Sequence, residues 1–394
     1  MEQQFDLSFE NTGIAFEAKT NQQLKKANFL FSAMGRPWLV KVGAAAMPLA
    51  LKIGLPIKGL IKSTIFSQFC GGENMPEAAA ASEVLGKYNV GVVLDYGVEA
   101  MEGEHNYDHA VEEFTRAIRF AAGKPYIPFI AIKVTGFARF SLLEKVASGK
   151  PLSSAEQDEY DRVHLRIKTI CEAAAKNNIR VLIDAEESWI QPPVDELAEA
   201  MMALFNQGTP VVYNTYQLYL HSRLAALKTA EENAREKGYL LGAKLVRGAY
   251  MEKERKRALE MGYPSPVQPN KAATDNDYNA AVQFCIERLD SLAVFIGTHN
   301  ENSCMLAARL LQEKGIPPQH PHVNFSQLLG MSDNITFNLA HSGYHVSKYL
   351  PYGPVKDVMP YLLRRAQENT SIAGQTGREL GLIRKEIKRR ASER

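Results

Sequence analysis

Cysteine is scarce in this sequence. The chain of 394 residues has four cysteines, and they stand far apart, at Cys70, Cys171, Cys285 and Cys304. No two of them form a CxxC pair, and none is spaced with histidine in the manner of a zinc ligand set. The sequence therefore predicts neither a disulfide framework nor a zinc site, and it fits a reducing compartment.

An excess of charge of one sign is also missing. Basic residues number 46 and acidic residues 44, which leaves a formal net charge of +2. Nucleic-acid-binding domains are typically basic, so we expect no nucleic-acid partner. Apolar residues make up 45% of the chain and charged residues 23%, a composition typical of a globular protein with a full core.

No uninterrupted apolar run is long enough to span a bilayer. The most apolar stretch, residues 42–61, contains two prolines and two lysines, which argue against a transmembrane helix. The N-terminal residues MEQQFDLSFENTG are acidic and lack an apolar centre, so they predict no signal or transit peptide. If this segment is helical, four lysines lie on one side of the helix and form a basic stripe: Lys41, Lys52, Lys58 and Lys62. The stripe could lie on an anionic membrane surface, or the segment could be a helical cap packed on the main domain.

Several well-known catalytic and nucleotide-binding motifs are absent. The sequence has no GxGxxG after a predicted strand and no GxxxxGK[ST], which excludes the usual dinucleotide and P-loop sites. It also has no HExxH and no GxSxG, which excludes the common zinc protease and serine hydrolase signatures.

From residue 89 onward, short β-branched runs alternate with amphipathic, helix-like segments. There are eight runs: residues 89–98, 126–136, 179–188, 210–217, 240–250, 292–300, 322–330 and 345–353. Strands that alternate with helices form parallel βαβ units, and eight units predict an α/β fold of the (β/α)8 TIM-barrel type. We expect an N-terminal helical arm at 1–88, the barrel at 89–375 and a basic C-terminal tail at 376–394.

Polar side chains crowd the C-terminal ends of these strands, where barrel enzymes carry their active sites. Six strands contribute them: Lys133; Asp184, Glu186 and Glu187; Gln217; Lys244 and Arg247; Thr298, His299 and Asn300; and Tyr349. Two acids and the histidine could hold a divalent metal, as in a metal-dependent barrel lyase that uses Asp184, Glu186 and His299. The three cations on neighbouring strands favour an anion instead: a phosphate, a carboxylate or an anionic cofactor.

A segment near the C-terminus, PYLLRRAQENT at 360–370, carries adjacent arginines, Arg364 and Arg365, with Glu368 one turn later. By itself, the Arg364–Glu368 spacing suits a salt-bridged surface helix. Together with DAEES, KLVRGAY and THN upstream, the segment resembles the proline dehydrogenase family. The motifs stand in that family's order over residues 85–375, each on the matching barrel element. The resemblance implies a distorted barrel, with the last helix across the top of the site, that oxidises L-proline using FAD.

The resemblance also implies roles for individual residues. Two arginines, Arg364 and Arg365, would bind the substrate carboxylate, with Lys133 nearby. Two tyrosines, Tyr349 and Tyr361, would pack against the proline ring. These five residues form the implied substrate-binding set. The cofactor-binding set is Asp184, Ala185, Gln217, Lys244, Arg247, Gly248, Ala249, Thr298, His299 and Glu368. Asp184 and Lys244 are the catalytic candidates. The alternative for Asp184 is a structural ion pair with Lys133 or Lys244. Tyrosine at 349 is implied to favour proline over hydroxyproline.

Partners follow from the same resemblance. The flavin would pass its electrons to a membrane quinone, which would give the lysine stripe a purpose. Nothing in the chain resembles an NAD-dependent aldehyde dehydrogenase, so a separate pyrroline-5-carboxylate dehydrogenase is expected to take the product. We expect a cytoplasmic protein, with peripheral contact to the inner membrane left open. A catalytically inactive barrel that only binds partners is the other alternative, and the intact arginines, Lys133 and Asp184 argue against it.

Overall fold

Eight strands form a closed barrel in the order β1 to β8. They are β1 Val90–Tyr96, β2 Phe129–Lys133, β3 Arg180–Asp184, β4 Val212–Gln217, β5 Leu241–Val246, β6 Leu292–Gly297, β7 Val323–Leu328 and β8 Val346–Tyr352. Each strand lies within one of the eight β-branched runs, and the described strand pairs are parallel. The predicted (β/α)8 barrel is therefore confirmed.

The structure, a computed structural model, describes residues 7–36, 38–43, 57–97, 102–371 and 375–393. For residues 367–371 and 375–376 it describes the backbone alone. The chain divides into two compact units, the first made of residues 1–99 with 327–394 and the second of residues 100–326.

Thirteen helices of eight residues or more lie in the described part of the chain. They are α1 Asn21–Met34, α2 Met75–Gly86, α3 Glu104–Ala121, α4 Phe140–Ala147, α5 Ser154–Lys176, α6 Gln191–Phe205, α7 Arg223–Lys237, α8 Met251–Met261, α9 Lys271–Ile286, α10 Glu301–Glu313, α11 Asp333–His341, α12 Val355–Ser371 and α13 Gln375–Ser392. Shorter helical turns cover Thr12–Ala15, 38–43, Lys58–Ile61, Lys62–Phe66 and Ser67–Phe69.

The helix boundaries follow local chemistry. Ser153 begins α5 with a capping box, because its hydroxyl accepts from the backbone N–H of Glu156 while the Glu156 side chain accepts from the Ser153 backbone. Gly238 and Gly262 end α7 and α8 in the left-handed conformation, which glycine adopts without a steric penalty.

In the second unit, aromatic rings fill the inside of the sheet. Phe129 of β2 lies 5.1 Å from Phe295 of β6 and 6.1 Å from Tyr213 of β4, measured between ring centroids. Strands β2 and β6 are not neighbours in the sheet, so rings this close must project from its concave face. The apolar packing leaves the polar side chains at the C-terminal ends of the strands.

In the first unit, the N-terminal helices share an apolar core with α12 and α13. Its buried members include Leu24, Phe31, Phe69, Val358, Leu362, Leu382 and Ile383. The segment 376–394, which we predicted as a basic tail, lies mostly in α13, and that helix buries one apolar face against α1. Most of its basic residues are exposed, but Arg390 is partly buried and donates to the carbonyls of Phe16 and Lys19.

The predicted lysine stripe lies only partly in the described residues, because Lys52 falls outside them. Lys58 forms an ion pair with Glu73 at 3.1 Å, and Lys62 lies 3.6 Å from Glu73 and 3.5 Å from Glu77. Two of the four lysines thus already have acidic partners in their own unit. None of the described helices combines the length and apolarity needed to cross a bilayer.

Candidate active site at the strand ends

A buried ion pair lies at the C-terminal ends of two strands in the second unit. Lys244 Nζ of β5 donates to Asp184 Oδ1 of β3 at 2.5 Å, and both side chains are largely buried. Strand β4 lies between these two strands. The side chains can meet only across the concave face, because on the convex face of a curved sheet they diverge. The sequence left Lys133 and Lys244 open as partners of Asp184, and the structure shows the ion pair with Lys244.

Lys133 nevertheless belongs to the same surface. Lys133 and Asp184 are register partners in the β2–β3 pair, and directly paired residues of neighbouring strands point to the same face of a sheet. The charge of Lys133 also acts on Glu186, where it opposes the upward shift in pKa that burial causes. The cation predicted at the end of β2 is therefore close to the acids that follow β3.

Glu186 is turned towards the end of β2. Its carboxylate accepts hydrogen bonds from the backbone N–H of Thr135 at 3.3 Å and from the Thr135 hydroxyl at 2.7 Å. Gln217 Nε2, at the end of β4, donates to the backbone carbonyl of Glu186 at 2.6 Å. The described residues contain no group of three acids, cysteines or histidines arranged to hold a metal ion. The geometry thus gives no support to the metal-dependent lyase.

Arg247, just beyond β5, is held by three side chains. Its Nε donates to Asp275 at 2.7 Å, one terminal nitrogen to Thr298 Oγ1 at 2.7 Å, and the other to Ser303 Oγ at 3.0 Å. The guanidinium also stacks over the ring of Tyr278, 4.3 Å from its centroid. The structure therefore brings together two predicted site residues, Arg247 and Thr298, and fixes the orientation of the arginine.

Gly248 has a steric reason to be glycine. Its φ of +130° lies in the region that other residues rarely adopt, and a Cβ built there would overlap the ring of Tyr219. The Tyr219 N–H donates to the Arg247 carbonyl at 2.8 Å, so the two segments run in contact. The close approach that requires glycine in this structure is to an aromatic ring of the protein.

In the first unit, the structure distinguishes the two arginines of α12. Arg365 is 7% exposed, and its guanidinium stacks over the Tyr361 ring at 4.9 Å. Arg364, its neighbour in sequence, is exposed. Tyr349 is buried on β8, where its carbonyl accepts from the Leu329 N–H at 2.9 Å. The side chain of Glu368 lies outside the described residues.

Sequence reasoning missed the polar groups that hold these residues in place. Asp275 and Ser303 fix Arg247, Thr135 binds Glu186, and Glu254 on α8 binds Ser188. These residues lie on helices and loops with ordinary polar composition. No spacing in the sequence marks them, because their partners are between 28 and 66 positions away.

Comparison with known proteins identifies one family that matches most of the chain. The model of the family described as "Proline dehydrogenase" matches residues 78–378. The chain belongs to the proline dehydrogenase family. It is therefore an oxidoreductase, and the family predicted from the sequence motifs is confirmed. The predicted flavin dependence agrees with membership of this family.

Individual members show how close the relationship is. The chain is 32% identical over 385 residues to proline dehydrogenase 1, mitochondrial, of Dictyostelium discoideum, which covers 86% of this chain and 67% of the relative. It is 30% identical over 421 residues to hydroxyproline dehydrogenase of Xenopus laevis, which covers 98% of this chain and 90% of the relative. Relatives of similar identity thus include enzymes named for proline and for hydroxyproline.

The fold also matches a solved structure. Proline utilization A from Bdellovibrio bacteriovorus, inactivated by N-propargylglycine, superposes with a TM-score of 0.72 at 20% sequence identity. The alignment covers 91% of this chain and 42% of that chain, so the protein spans less than half the length of that structural relative. At this identity the similarity shows the fold alone.

The side chains of a proline dehydrogenase must accommodate a flavin, and the donor set present here fits one. A flavin ring and its diphosphate are rich in hydrogen-bond acceptors. The strand ends offer a buried ammonium, an amide, a guanidinium and a hydroxyl, from Lys244, Gln217, Arg247 and Thr298. The nearby carboxylates of Asp184 and Glu186 are engaged by Lys244 and Thr135. The set is therefore suited to an anionic, acceptor-rich cofactor.

Proposed function

We propose that this protein oxidises L-proline to Δ1-pyrroline-5-carboxylate with FAD as its bound cofactor. The observation that carries the proposal is the buried Asp184–Lys244 pair at the ends of β3 and β5 in a chain of this family. A buried lysine held by a carboxylate supplies a fixed positive charge in a place where water is largely excluded. Such a charge stabilises negative charge that develops on an adjacent group during reduction.

The reaction forms a C=N bond between the ring nitrogen and Cδ. FAD, when bound, supplies the two-electron oxidation by accepting the hydride that leaves Cδ. The proline nitrogen reacts in its neutral form, because its lone pair becomes part of the new bond. The protein itself then has to orient the substrate and place charge. Lys244, oriented by Asp184, places positive charge beside the redox centre, and both are our catalytic candidates.

Arginine is well suited to the substrate carboxylate. Its planar guanidinium gives directed, paired hydrogen bonds that an ammonium cannot match. We propose Arg365 as the principal carboxylate ligand, because its side chain is buried and already stacked on Tyr361. Arg364 contributes charge to the same carboxylate, and Lys133 is a further member of the proposed substrate-binding set. Orientation by groups remote from Cδ lowers the barrier by holding the reacting atoms in line.

The remaining proposed contacts concern FAD. We propose that Gln217 and Lys244 bind the isoalloxazine ring, and that Arg247 and Thr298 act nearer the diphosphate. The other members of the proposed set are Asp184, Ala185, Gly248, Ala249, His299 and Glu368. The network around Arg247 supports this assignment, because an arginine whose orientation is already fixed loses little entropy when it meets an anion.

We propose proline rather than hydroxyproline as the preferred substrate. Tyr349 is buried on β8, and a tyrosine there is what the proline-specific members of the family are implied to carry. A phenol against the ring adds apolar contact and leaves no room for an additional hydroxyl on that side. Tyr361 would form the second aromatic wall.

We propose that the electron acceptor is a membrane quinone, which the protein reaches through peripheral contact with the membrane. A separate pyrroline-5-carboxylate dehydrogenase would then use the product. The helix at 38–43 supports such contact, because it exposes Trp38 at 62%, together with Lys41 and Val42. Exposed tryptophan beside lysine is typical of segments that lie at a lipid interface. We propose the arm at 1–88 as the unit that makes this contact, with the barrel at 89–375 as the catalytic domain and 376–394 as its C-terminal extension.

The test is the visible spectrum of the purified protein, followed by anaerobic addition of L-proline. We expect a yellow protein whose flavin absorbance is bleached by proline. Release and chromatography of the cofactor then identify it as FAD or another flavin. A colourless protein that carries a stoichiometric divalent metal would refute the proposal and favour the lyase. A flavin that proline leaves oxidised would refute proline as the substrate.

A further inference from the structure

Glu254, in the first turn of α8, is a buried carboxylate with an unusual set of contacts. It is 0% exposed, and both of its oxygens accept hydrogen bonds from one residue, Ser188. The Ser188 backbone N–H donates at 2.7 Å and the Ser188 hydroxyl at 2.6 Å. Among the described residues, no cation lies within ion-pair distance of it. A buried charge is costly unless it is hydrogen-bonded, so this arrangement calls for a reason.

Its neighbour shows that the helix does not require an acid to be buried here. Glu252 lies in the same first turn, and its side chain is 84% exposed. Either acid would interact favourably with the positive end of the helix. The difference between them is the hydrogen bonding to Ser188, which only Glu254 makes.

The position of this contact links the two ends of the candidate site. Ser188 directly follows the segment DAEE at 184–187, which begins at the last residue of β3. Helix α8 directly follows the loop at 247–250, which comes after β5. The Glu254–Ser188 hydrogen bonds therefore fasten the segment beyond Asp184 to the segment beyond Lys244, across the end of the strand that separates them.

Two further contacts run in parallel with this one. Lys253 donates to Glu187 at 2.8 Å, and Arg257 stacks over the Trp189 ring at 4.4 Å. Three consecutive residues beyond β3, at 187–189, thus each contact one residue of α8. Of these three contacts, only that of Glu254 is fully buried and doubly hydrogen-bonded.

We propose that Glu254 is a positioning residue for the redox site. By binding Ser188, it fixes the loop at 247–250 relative to the acids after β3, and it thereby keeps Lys244 against Asp184. The inference rests on the proposed function for its meaning in catalysis. Glu254 itself touches neither substrate nor flavin and acts through the residues that it holds.

The geometry explains why glutamate suits this task. A carboxylate accepts both hydrogen bonds at once, whereas alanine leaves the Ser188 N–H and hydroxyl without their acceptor. Glutamine keeps one carbonyl oxygen for the N–H, and its amide nitrogen can donate to the serine hydroxyl, which also accepts. The variants should therefore rank in the order wild type, E254Q, S188A and E254A, from least to most disturbed.

The experiment compares these variants with E252A, which changes the exposed acid of the same helical turn. For each holoenzyme we would measure kcat and KM for proline, the flavin midpoint potential and, on apoprotein, the dissociation constant for FAD. Loss of charge-assisted hydrogen bonds predicts that E254A lowers kcat by roughly tenfold or more, while the KM for proline changes much less. The midpoint potential should shift and FAD should bind more weakly. E252A should match the wild type, and the E254A/S188A double variant should be no worse than E254A.

Several outcomes would overturn the inference. One is an E254A holoenzyme with wild-type kcat and midpoint potential. Another is a variant whose melting temperature falls while its kinetics and potential stay unchanged, since that result shows a structural role only. If E254A does not fold, S188A decides, because it removes just one hydroxyl; wild-type behaviour of S188A then refutes the role.

A separate measurement distinguishes this failure from failure of the proposed function. If proline does not reduce the wild-type flavin, the proposed function is wrong, and amide hydrogen exchange then decides the positioning role. Faster exchange at 247–254 in S188A than in wild type and E252A would support the fastening. Equal exchange in all three proteins would refute it.

Discussion

The ionisation of Glu379 should make the free energy of unfolding depend on pH, and replacement of Glu379 by glutamine should remove this dependence. Glu379 lies on α13, is 5% exposed, and accepts a hydrogen bond from the Ser332 backbone N–H. Burial raises the pKa of Glu379 from 4.5 to about 7, and the nearby carboxylate of Asp333 acts in the same direction. The hydrogen bond from Ser332 and the charges of Lys348 and Lys19 oppose the rise.

The sign follows from proton binding. Between pH 4.5 and about 7 the folded protein holds a proton on Glu379 that the unfolded chain has already released. The free energy of unfolding therefore falls as the pH rises through this window. The pKa difference corresponds to about 3 kcal/mol, at about 1.4 kcal/mol per pH unit.

Glutamine keeps a carbonyl oxygen for the Ser332 N–H and cannot ionise. We expect E379Q to be close to wild type at about pH 5 and more stable than wild type at about pH 8, by up to about 3 kcal/mol. The neighbouring Asp333 does not produce this effect, because Lys348 and Lys19 hold its pKa below the ordinary value even though burial acts to raise it. Those two lysines contact Asp333 at 2.8 and 3.2 Å.

The same helix provides a matched control of opposite sign. Glu386 is also fully buried, but it accepts from Arg389 at 2.8 Å and from Arg390 at 2.7 Å. Burial acts to raise the pKa of Glu386, and the hydrogen bonds from the two arginines lower it below 4.5. Its contribution to stability is therefore present above pH 4.5 and is lost as the pH falls through the lowered value. E386Q should be less stable than wild type by a constant amount between about pH 5 and pH 8, and the gap should close only at a pH below 4.5.

The assay is urea unfolding of the three holoproteins, followed by circular dichroism at a fixed excess of FAD between about pH 5 and pH 8. The quantity to compare is the change with pH in the free energy of unfolding of each variant relative to wild type. A difference between E379Q and wild type that stays constant over this range would refute the reasoning. Changes of the same sign in both glutamine variants would refute it as well.

Four further predictions concern the proposed activity. Arg365→Met should raise the KM for proline by roughly ten- to a hundredfold with flavin retained, and Arg364→Met should raise it less; an unchanged KM in both variants would end the carboxylate assignment. Arg247→Ala should lower FAD content more than it lowers the melting temperature of the apoprotein, and full flavin content would show a structural role instead. Wild type should prefer proline over hydroxyproline by about tenfold in kcat/KM, and Tyr349→Ser should narrow that gap; equal use of both substrates by the wild type would contradict the placement of this ring. Trp38→Glu should abolish salt-sensitive binding to vesicles of anionic phospholipid, and a wild-type protein that ignores such vesicles would exclude this contact.

The barrel could be predicted from the sequence because parallel strands are buried on both faces and so appear as short, nearly continuous β-branched runs. All eight runs contain a strand. The runs extend beyond the strands at their ends, as at 179–188, where the sheet stops at Asp184. The acids that follow leave the ladder and turn towards other segments, which composition alone does not show.

The candidate site could be predicted in part for the same reason. In a parallel barrel all strands end at one rim, so polar residues at strand ends must lie near one another. The partners within that rim are decided by the structure. Asp184 stands beside Lys133 in the sheet register, and it also forms an ion pair with Lys244, two strands away. The curvature of the sheet brings side chains of alternate strands together on the concave face. This curvature, and therefore the contact between β3 and β5, cannot be predicted from the sequence.

The order of the strands, the polar residues at their ends and the family can all be predicted from the sequence. Which of several chemically equivalent polar residues is buried depends on the packing of the helices. Arg364 and Arg365 are adjacent in sequence, and Glu252 and Glu254 are two positions apart. In each pair only one side chain is buried. Positions one or two residues apart on a helix point about 100° or 200° apart. The rotation of the helix against its neighbours, set by packing with segments distant in sequence, therefore decides which side chain faces the interior.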